Sequence, residues 1–561
     1  MVEAMGVLTE TGNRSPSGMV IEVSASRIKV GFFVHQGDEL SNNSGSEFGD
    51  LVVVELDKCH IIGQVVDVRL EGGRSVIVDG VEYRINRVGE IRLLCTVDIL
   101  SERVHIGIEV YPHIADLFFP APSSVLQILA EGSKKTKSEV LLSLGNMRDA
   151  SGPPLALPPE RLFTCHAAVL GTTGAGKSWT LARLVEQCAK FQSKVILFDP
   201  SGEFAGLNHN TRHLHFGAAE AGDIVSLPVA LPHHHLTESD LFAIFRPSGP
   251  SQGPMLRAAV RSLKLARLSP QIAPGGVIPK AYRAKKQYLS EYQLYADQVE
   301  SPWAKFDIRC LTAQIENECV NPQSSPTEPL VWGGVNPVDQ ANCMPLISRI
   351  SDIINNPGLA PIFKPGKIPS LVEKIDEFIV DGDARVLCVS LKNLSFANNA
   401  REVILNAVGR RLYDLARAER FVHIPTLVVL DEAHQFLSQA TESELNFSAT
   451  NSFALIAKEG RKYGLTMCLA TQRPRDIPEG VLSQMGTLII HRLINDHDLQ
   501  VVERASGELD RFSAARIPVL SPGEAIIVGV EFPVALHVKV AAPECRPSFK
   551  GADYQQYWKK T

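Results

Sequence analysis

The 561-residue chain lacks the marks of a secreted or membrane protein. Its ten cysteines include no C-x-x-C pair and fall at irregular intervals, which excludes a disulfide-stapled scaffold and implies buried, reduced thiols in a cytosolic protein. No run reaches the roughly 20 apolar residues of a membrane span. The first residues, "MVEAMGVLTETGNRSPSG", carry neither a basic stretch nor an apolar core, so they do not read as a secretory signal, and a cytoplasmic location is expected. An excess of positive charge is missing too: 56 Lys+Arg face 62 Asp+Glu, for a net charge of -6. No global basic field therefore advertises nucleic acid or an anionic membrane, although basic residues confined to a channel would escape this count.

Other absences narrow the enzyme classes. There is no N-K-x-D base-reading motif of GTPases, no L-S-G-G-Q of transporter ATPases and no trustworthy compact D-E-x-K cluster of nucleases. "DEAH" at 431–434 and "FSAT" at 447–450 imitate two-lobed DEAH-box helicases, but no Q-x-x-G-R-x-G-R follows them.

What is present is 45 % hydrophobic sequence, enough for two to four structural units. Residues 18 to about 115 alternate in short β-branched runs punctuated by Gly, Asn and Asp, with "SNNSGSEFGD" as an exposed loop, and predict a small β-barrel. After the Pro-rich joint "ASGPPLALPPERL" the period changes. Apolar strands ("CHAAVLG", "KVILFDP", "ARVLCVSL", "PTLVVLDEA", "LTMCLATQ", "GTLIIHRL", "EAIIVGV") alternate with amphipathic helices such as 401–421, the pattern of a parallel α/β sheet. The expected organisation is an N-terminal β-barrel at 1–115, a linker at 116–161, an α/β core in two parts at 162–230 and 381–535, a helical insertion between them at 231–380, and a tail at 536–561.

The chemistry concentrates at strand ends. "GTTGAGKSW" fits G-x-x-x-x-G-K-[ST] between a strand and a helix: Gly171, Thr172, Thr173, Gly174, Ala175, Gly176, Lys177, Ser178 and Trp179 form the candidate ATP-binding stretch. Its glycines let backbone N–H groups curl around phosphates, Lys177 reaches the β and γ oxygens, and Ser178 ligates Mg²⁺. "LVVLDEAH" adds Asp431 as the second Mg²⁺ residue and Glu432 as general base for the attacking water. In "LATQRPRDIP", Thr471 and Gln472 end a core strand, where Gln472 either orients the lytic water and senses the γ-phosphate or merely closes a turn. Asp199 and Glu203 of "FDPSGEF" sit at the same pocket edge or serve only as turn and helix cap. Arg461, beside Lys462, is either a helix-end cation or an arginine finger into a neighbouring subunit; Arg473 and Arg475 face DNA, a neighbour or solvent. The triplet His233, His234 and His235 lacks spaced partners and is not read as a metal site.

In combination, the N-terminal barrel, "GTTGAGKS", "FDPSGEF", "LVVLDEAHQFL", "EGRKYGL", "ATQRPRDIP", "VLSQMGTLIIHRLIND" and "LSPGEAIIVG" resemble the HerA-like hexameric ATPases, which share a RecA-type motor core with the FtsK DNA translocases. The resemblance covers most of the chain outside the insertion. It implies a RecA-like core, a homohexamer with ATP between subunits, a barrel capping one face of the ring, and duplex DNA in the channel. It also implies Gln472 as sensor, Arg461 as finger, and a separately encoded partner, either a nuclease such as NurA or a sirtuin-like NAD-consuming effector, in DNA-end processing or anti-phage defence. An ATP-responsive scaffold that gates such an effector uses the same pocket. One departure is Cys165, before His166, where many relatives carry a basic residue.

Overall fold

The computed structural model describes residues 15–34, 47–78, 81–98, 103–131, 140–147, 152, 154–217, 226–395, 397–437, 451–507, 509, 511–547 and 558. The "FSAT" stretch, most of the "SNNSGSEFGD" loop and half of the expected tail lie outside these residues. The chain forms two compact units. The first comprises Met1–Gln187, Ala470–Arg475 and Leu482–Glu544; the second comprises Cys188–Leu469, Asp476–Val481 and Cys545–Thr561.

The first unit opens with seven strands: β1 (Gly18–Val23), β2 (Arg27–Val34), β3 (Leu51–Glu55), β4 (Cys59–Val78), β5 (Val81–Asp98), β6 (Val104–Ile106) and β7 (Leu117–Pro120). All pair antiparallel, in the order β2-β1-β7-β3-β4-β5-β6, and β2 also pairs with β5. Alternation explains the inward face. Ile28, Val30 and Phe32 of β2 point the same way and bury against Val52, Val54, Ile61, Val65, Ile91 and Phe118, with the Phe32 and Phe118 rings edge to face at 5.5 Å. Because β7 bridges β1 and β3, this sheet runs past residue 115 into the segment expected as a linker.

The same unit holds a second set of strands: β8 (Leu142–Met147), β9 (Pro154–Leu157), β10 (Ala167–Leu170), then, after residues of the other unit, β17 (Thr487–Ile490), β18 (Glu524–Gly529) and β19 (Leu536–Val540). β10 and β17 are parallel; β17-β18-β19-β8-β9 continue antiparallel. The described residues of 116–161 are thus largely sheet and helix, including a helix at Ser123–Glu131, and residues 536–540 are a paired strand. Apolar periodicity in such four- to six-residue strands is too short to stand out beside proline. Buried Arg161 ties these pieces together. Its guanidinium donates to the Leu129 carbonyl at 2.7 Å and to the Glu531 carbonyl, and lies 4.5 Å from the centre of the Phe532 ring. Burial lowers its pKa to about 10, leaving it charged at neutral pH.

The second unit contains β11 (Lys194–Asp199), β12 (Thr211–Phe216), β13 (Leu227–Val229), β14 (Val386–Ser390), β15 (Thr426–Leu430) and the first five residues of β16 (Leu465–Thr471). They are all parallel, in the order β13-β12-β14-β11-β15-β16. The central strands β11 and β15 are buried at every residue, as expected of a parallel sheet covered on both faces. All seven apolar runs expected as core strands form strands; β12 and β13, with His, Arg and Pro, were not among them.

Between β13 and β14 the chain is mainly helical, with helices at Glu238–Phe245, Gly249–Leu268, Lys285–Glu300, Leu311–Glu318, Pro337–Asn355 and Leu371–Val380. Local chemistry sets several starts. Thr237 and Asp240 form a reciprocal capping box, and Asn336 and Ser370 cap the helices that follow them. The last helix is docked by Lys194, whose buried ammonium donates to the carbonyls of Phe378 (2.9 Å), Asp381 and Ala384 (2.6 Å). All ten cysteines are free thiols, and Cys59, Cys95, Cys188, Cys319, Cys343, Cys388 and Cys468 are buried. Among the described residues, no helix is long and apolar enough to cross a membrane.

Replacing Arg161 by Ala leaves the buried Leu129 carbonyl and the part-buried Glu531 carbonyl without the guanidinium donor. We expect Arg161→Ala to destabilise the first unit by about 2–4 kcal/mol, read as an earlier urea transition, with Arg161→Lys recovering only part because one ammonium cannot reach both oxygens.

Candidate nucleotide site

Within the first unit, β10 ends in the loop Gly171–Gly176 and the loop ends in the helix Lys177–Ala189. First-turn N–H groups of a helix have no intrahelical acceptor, so this end favours an anion. Lys177 is buried, Ser178 half-buried and Trp179 41 % exposed. The loop is fastened at both ends and in its middle. Gly171 N–H donates to the Thr471 carbonyl at the end of β16 (3.3 Å), Thr172 N–H to the Arg492 carbonyl just after β17 (2.9 Å), and Gly523 N–H to the Ala175 carbonyl (2.9 Å). The Thr173 hydroxyl donates to Gln472 Oε1 at 2.5 Å, placing the expected sensor directly on the loop.

Two glycines are required by close approach. A Cβ at Gly171 would lie 2.6 Å from the His491 Cβ, and one at Gly176 would lie 3.1 Å from Gly523 and 3.3 Å from the His491 ring. His491, fully buried, bonds Thr180 Oγ1 through Nε2 at 2.8 Å and the Glu524 carbonyl through Nδ1 at 2.7 Å. Burial, helped by the Lys177 charge, lowers its pKa to about 4, so the ring is neutral at pH 7. The roles of His491, Thr180 and Gly523 escaped the sequence reading. The available signal was a polar residue directly after the four buried residues of β17.

In the loop after β16, Arg473 is exposed and its N–H donates to Thr471 Oγ1, whereas Arg475 is held by Asp498, with N–H to Oδ1 at 3.3 Å and Nη1 to Oδ2 at 3.5 Å. His166, at the entrance to β10, is buried with φ 52°, and the Cys165 carbonyl accepts from Gly486 N–H at 2.5 Å.

Within the second unit, Asp431 follows the buried strand β15, is 2 % exposed, and donates its N–H to the Phe198 carbonyl at 3.2 Å. Glu432 has a left-handed backbone, φ 45° and ψ 46°, a conformation that costs a non-glycine residue about 1–2 kcal/mol. Its Oε2 lies 3.3 Å from His434 Nδ1. Strain at this residue is the kind that persists where a side chain must point in one direction.

Asp199 ends β11, but its carboxylate is consumed locally. Oδ1 accepts from the N–H groups of Ser201 (3.2 Å), Gly202 (2.7 Å) and Glu203 (3.2 Å) and from the Ser201 hydroxyl, while Oδ2 accepts from Phe204 N–H (2.9 Å). Burial raises its pKa against the pull of these donors. Of the two readings for Asp199, the turn is the one built here; Glu203 is half-buried beside it. Arg461 lies exposed in the single turn Gly460–Tyr463 that follows the helix Ser452–Glu459, and Lys462 pairs with Glu459 at 2.6 Å. In the histidine triplet, His233 Nε2 meets the Phe306 carbonyl at 2.9 Å and His235 Nε2 meets Ser370 Oγ at 3.2 Å. Among the described residues, no group of three or more His, Cys, Asp or Glu is arranged to hold a metal ion.

Residues 142–301 match the family model described as "Helicase HerA, central domain". Along almost its whole length the chain is similar to a protein of Methanocaldococcus jannaschii named "Probable helicase", at 24 % identity over 96 % of this chain and 95 % of that one. It is also similar to the DNA double-strand break repair helicase HerA of Saccharolobus solfataricus, at 24 % identity over 71 % of this chain and 68 % of that one. Among solved structures, the bacterial conjugative coupling protein TrwB aligns over 76 % of this chain and 93 % of its own, at 13 % identity and a TM-score of 0.44.

The Asp199 geometry yields a direct test. Asp199→Asn sets an amide N–H₂ against backbone donors, so we expect a loss of about 1–3 kcal/mol in stability with an unchanged Mg²⁺ dependence of ATP turnover. A shift in the Mg²⁺ midpoint would instead return Asp199 to the metal.

Proposed function

We propose that this HerA-like P-loop ATPase couples ATP hydrolysis to the movement of duplex DNA through a homohexameric ring. The observation that carries the reading is the tethered phosphate loop, with buried Lys177 at a helix N-terminus and Gln472 bonded to Thr173. A hydrolase needs this combination, a cradle and a sensor in contact, more than a simple binder does.

In this reading Gly171 through Ser178 form the cradle: the N–H groups of Thr173, Gly174 and Gly176 through Ser178 and the Lys177 ammonium hold the β and γ phosphates, with Trp179 beside them, while the N–H groups of Gly171, Thr172 and Ala175 keep the loop in shape. Ser178 and Asp431 would hold Mg²⁺, a donor set of hydroxyl and carboxylate oxygens suited to a hard cation, which would neutralise charge on the phosphates. Glu432 takes the proton of the attacking water, and Gln472 orients that water and passes phosphate loss to the loop carrying Arg473 and Arg475. Exposed Arg461 reaches the γ-phosphate of the neighbouring subunit. The N-terminal sheet, whose strand order returns from β5 to β2, is the small barrel that caps the ring, and 231–380 is an insertion into the RecA-like core. The motor works in the cytoplasm with a separately encoded nuclease or sirtuin-like effector, in end processing or phage defence.

The deciding experiment is steady-state ATP hydrolysis with and without linear duplex DNA at two salt concentrations. DNA should stimulate turnover, and the stimulation should fall steeply with salt because phosphate contacts release counterions. Turnover indifferent to DNA but dependent on a partner protein would replace the motor by the scaffold. Glu432→Gln should lower kcat at least about 100-fold while ATP still binds. Arg461→Ala should do likewise, and mixed rings of Arg461→Ala with Glu432→Gln should regain activity; mixed rings that stay silent would remove the trans finger.

A further inference from the structure

Behind the phosphate loop lies a buried histidine to which the proposed chemistry gives no task. The tautomer of His491 follows from its neighbours. A carbonyl oxygen only accepts, so Nδ1, 2.7 Å from the Glu524 carbonyl, carries the proton. Nε2 is then a lone pair and accepts the hydroxyl hydrogen of Thr180 at 2.8 Å. Thr180 belongs to the first turn of the loop's helix, its own N–H donating to the Gly176 carbonyl at 2.9 Å. The imidazole therefore joins three pieces of chain: the start of β18 through its donor, the first helical turn through its acceptor, and the backs of Gly171 and Gly176 through contact.

We propose that His491 is a positioning residue for nucleotide binding: as an Nδ1–H imidazole it fixes the first turn after the phosphate loop through Thr180, and so sets where the Lys177 ammonium and the loop N–H groups stand. This rests on the reading of Gly171–Ser178 as a phosphate cradle. An interaction that shapes the cradle acts alike on bound substrate and transition state, so its loss belongs in KM and not in kcat. It also belongs to one hydrogen bond, so removing either partner removes the same effect.

The test uses the full-length protein. Kd for Mg·ATP is measured by calorimetry, with kcat and KM from steady-state hydrolysis and a thermal melt for each variant. The variants are Thr180→Val, Thr180→Ser, His491→Asn and the double variant Thr180→Val/His491→Asn. His491→Asn keeps a donor near the Glu524 carbonyl and lacks the acceptor for Thr180; Thr180→Val keeps the shape and lacks the hydroxyl. We expect each of these two to raise KM and Kd about fivefold to tenfold with kcat changed less than threefold, Thr180→Ser to behave like the parent, and the double variant to be no worse than the poorer single. Additive effects in the double variant, or melting points that fall while Kd and KM stay within twofold, overturn the proposal. Should His491→Asn fail to fold, Thr180→Val against Thr180→Ser decides alone. Lys177→Ala separates the two layers of the argument. If the parent binds Mg·ATP no better than Lys177→Ala, the cradle itself is misread; if the parent binds and the His491 and Thr180 variants match it, only the positioning role falls.

Discussion

A run of backbone N–H groups turned toward one anion has few donors left to shape itself; in this loop the Ala175 N–H bonds the Thr172 carbonyl at 3.2 Å. Most of the shape has to be imposed from outside. Here the loop between β10 and its helix is held by the carbonyls of Thr471 and Arg492 at the ends of two strands, by the N–H of Gly523, and by the wedge of His491 against two glycines. Each tether takes a polar group that the loop does not aim at phosphate, so the fastening and the binding do not compete. The order of strands in the first unit follows from the same need. β17 runs parallel to β10 and delivers His491 and Arg492 level with the loop, and the turn to antiparallel β18 brings Gly523 and Glu524 back to it.

Carboxylates at strand ends show how similar sequence positions acquire different roles. Asp199 and Asp431 each close an apolar parallel strand, yet Asp199 spends both oxygens on the next five residues. The chain after Asp431 instead takes the left-handed turn at Glu432, an arrangement that no local side-chain cap accompanies. A self-satisfied aspartate makes a rigid corner. A left-handed glutamate beside an aspartate turns the chain sharply at the end of β15, at a backbone penalty that the surrounding structure must offset.

How much of this was legible in the sequence depends on range. The seven core strands were visible because strands buried on both faces, six of them parallel and β18 antiparallel, read as continuous apolar runs, and the phosphate loop was visible because its residues are adjacent in the chain. β8, β9 and β19 were not, since a short antiparallel strand declares itself only through its partners: β8 and β9 are brief runs beside a Pro-rich joint, and the pairing of β19 with β8 joins segments far apart in sequence. The triangle of His491, Thr180 and Glu524 was hidden for the same reason: each residue is unremarkable alone, and only the fold brings them together. Asp199 shows the converse, a motif whose local neighbours decide its role within five residues, a distance at which turn chemistry competes directly with ligand chemistry.

The first unit is assembled from chain segments made at different times. Thr172 bonds the carbonyl of a residue 320 positions later. At a synthesis rate of about 5–20 residues per second, β10 leaves the ribosome roughly 15–60 s before β17 exists to cover it. During that interval the second unit, almost entirely encoded between them, has time to fold, while the Ala167–Leu170 segment, fully buried in the finished fold, waits without its partner β17. The tethers of the Gly171–Gly176 loop to Thr471, Arg492 and Gly523 are therefore among the last contacts of the molecule to form, and a nascent chain that stalls within the second unit carries the loop without them.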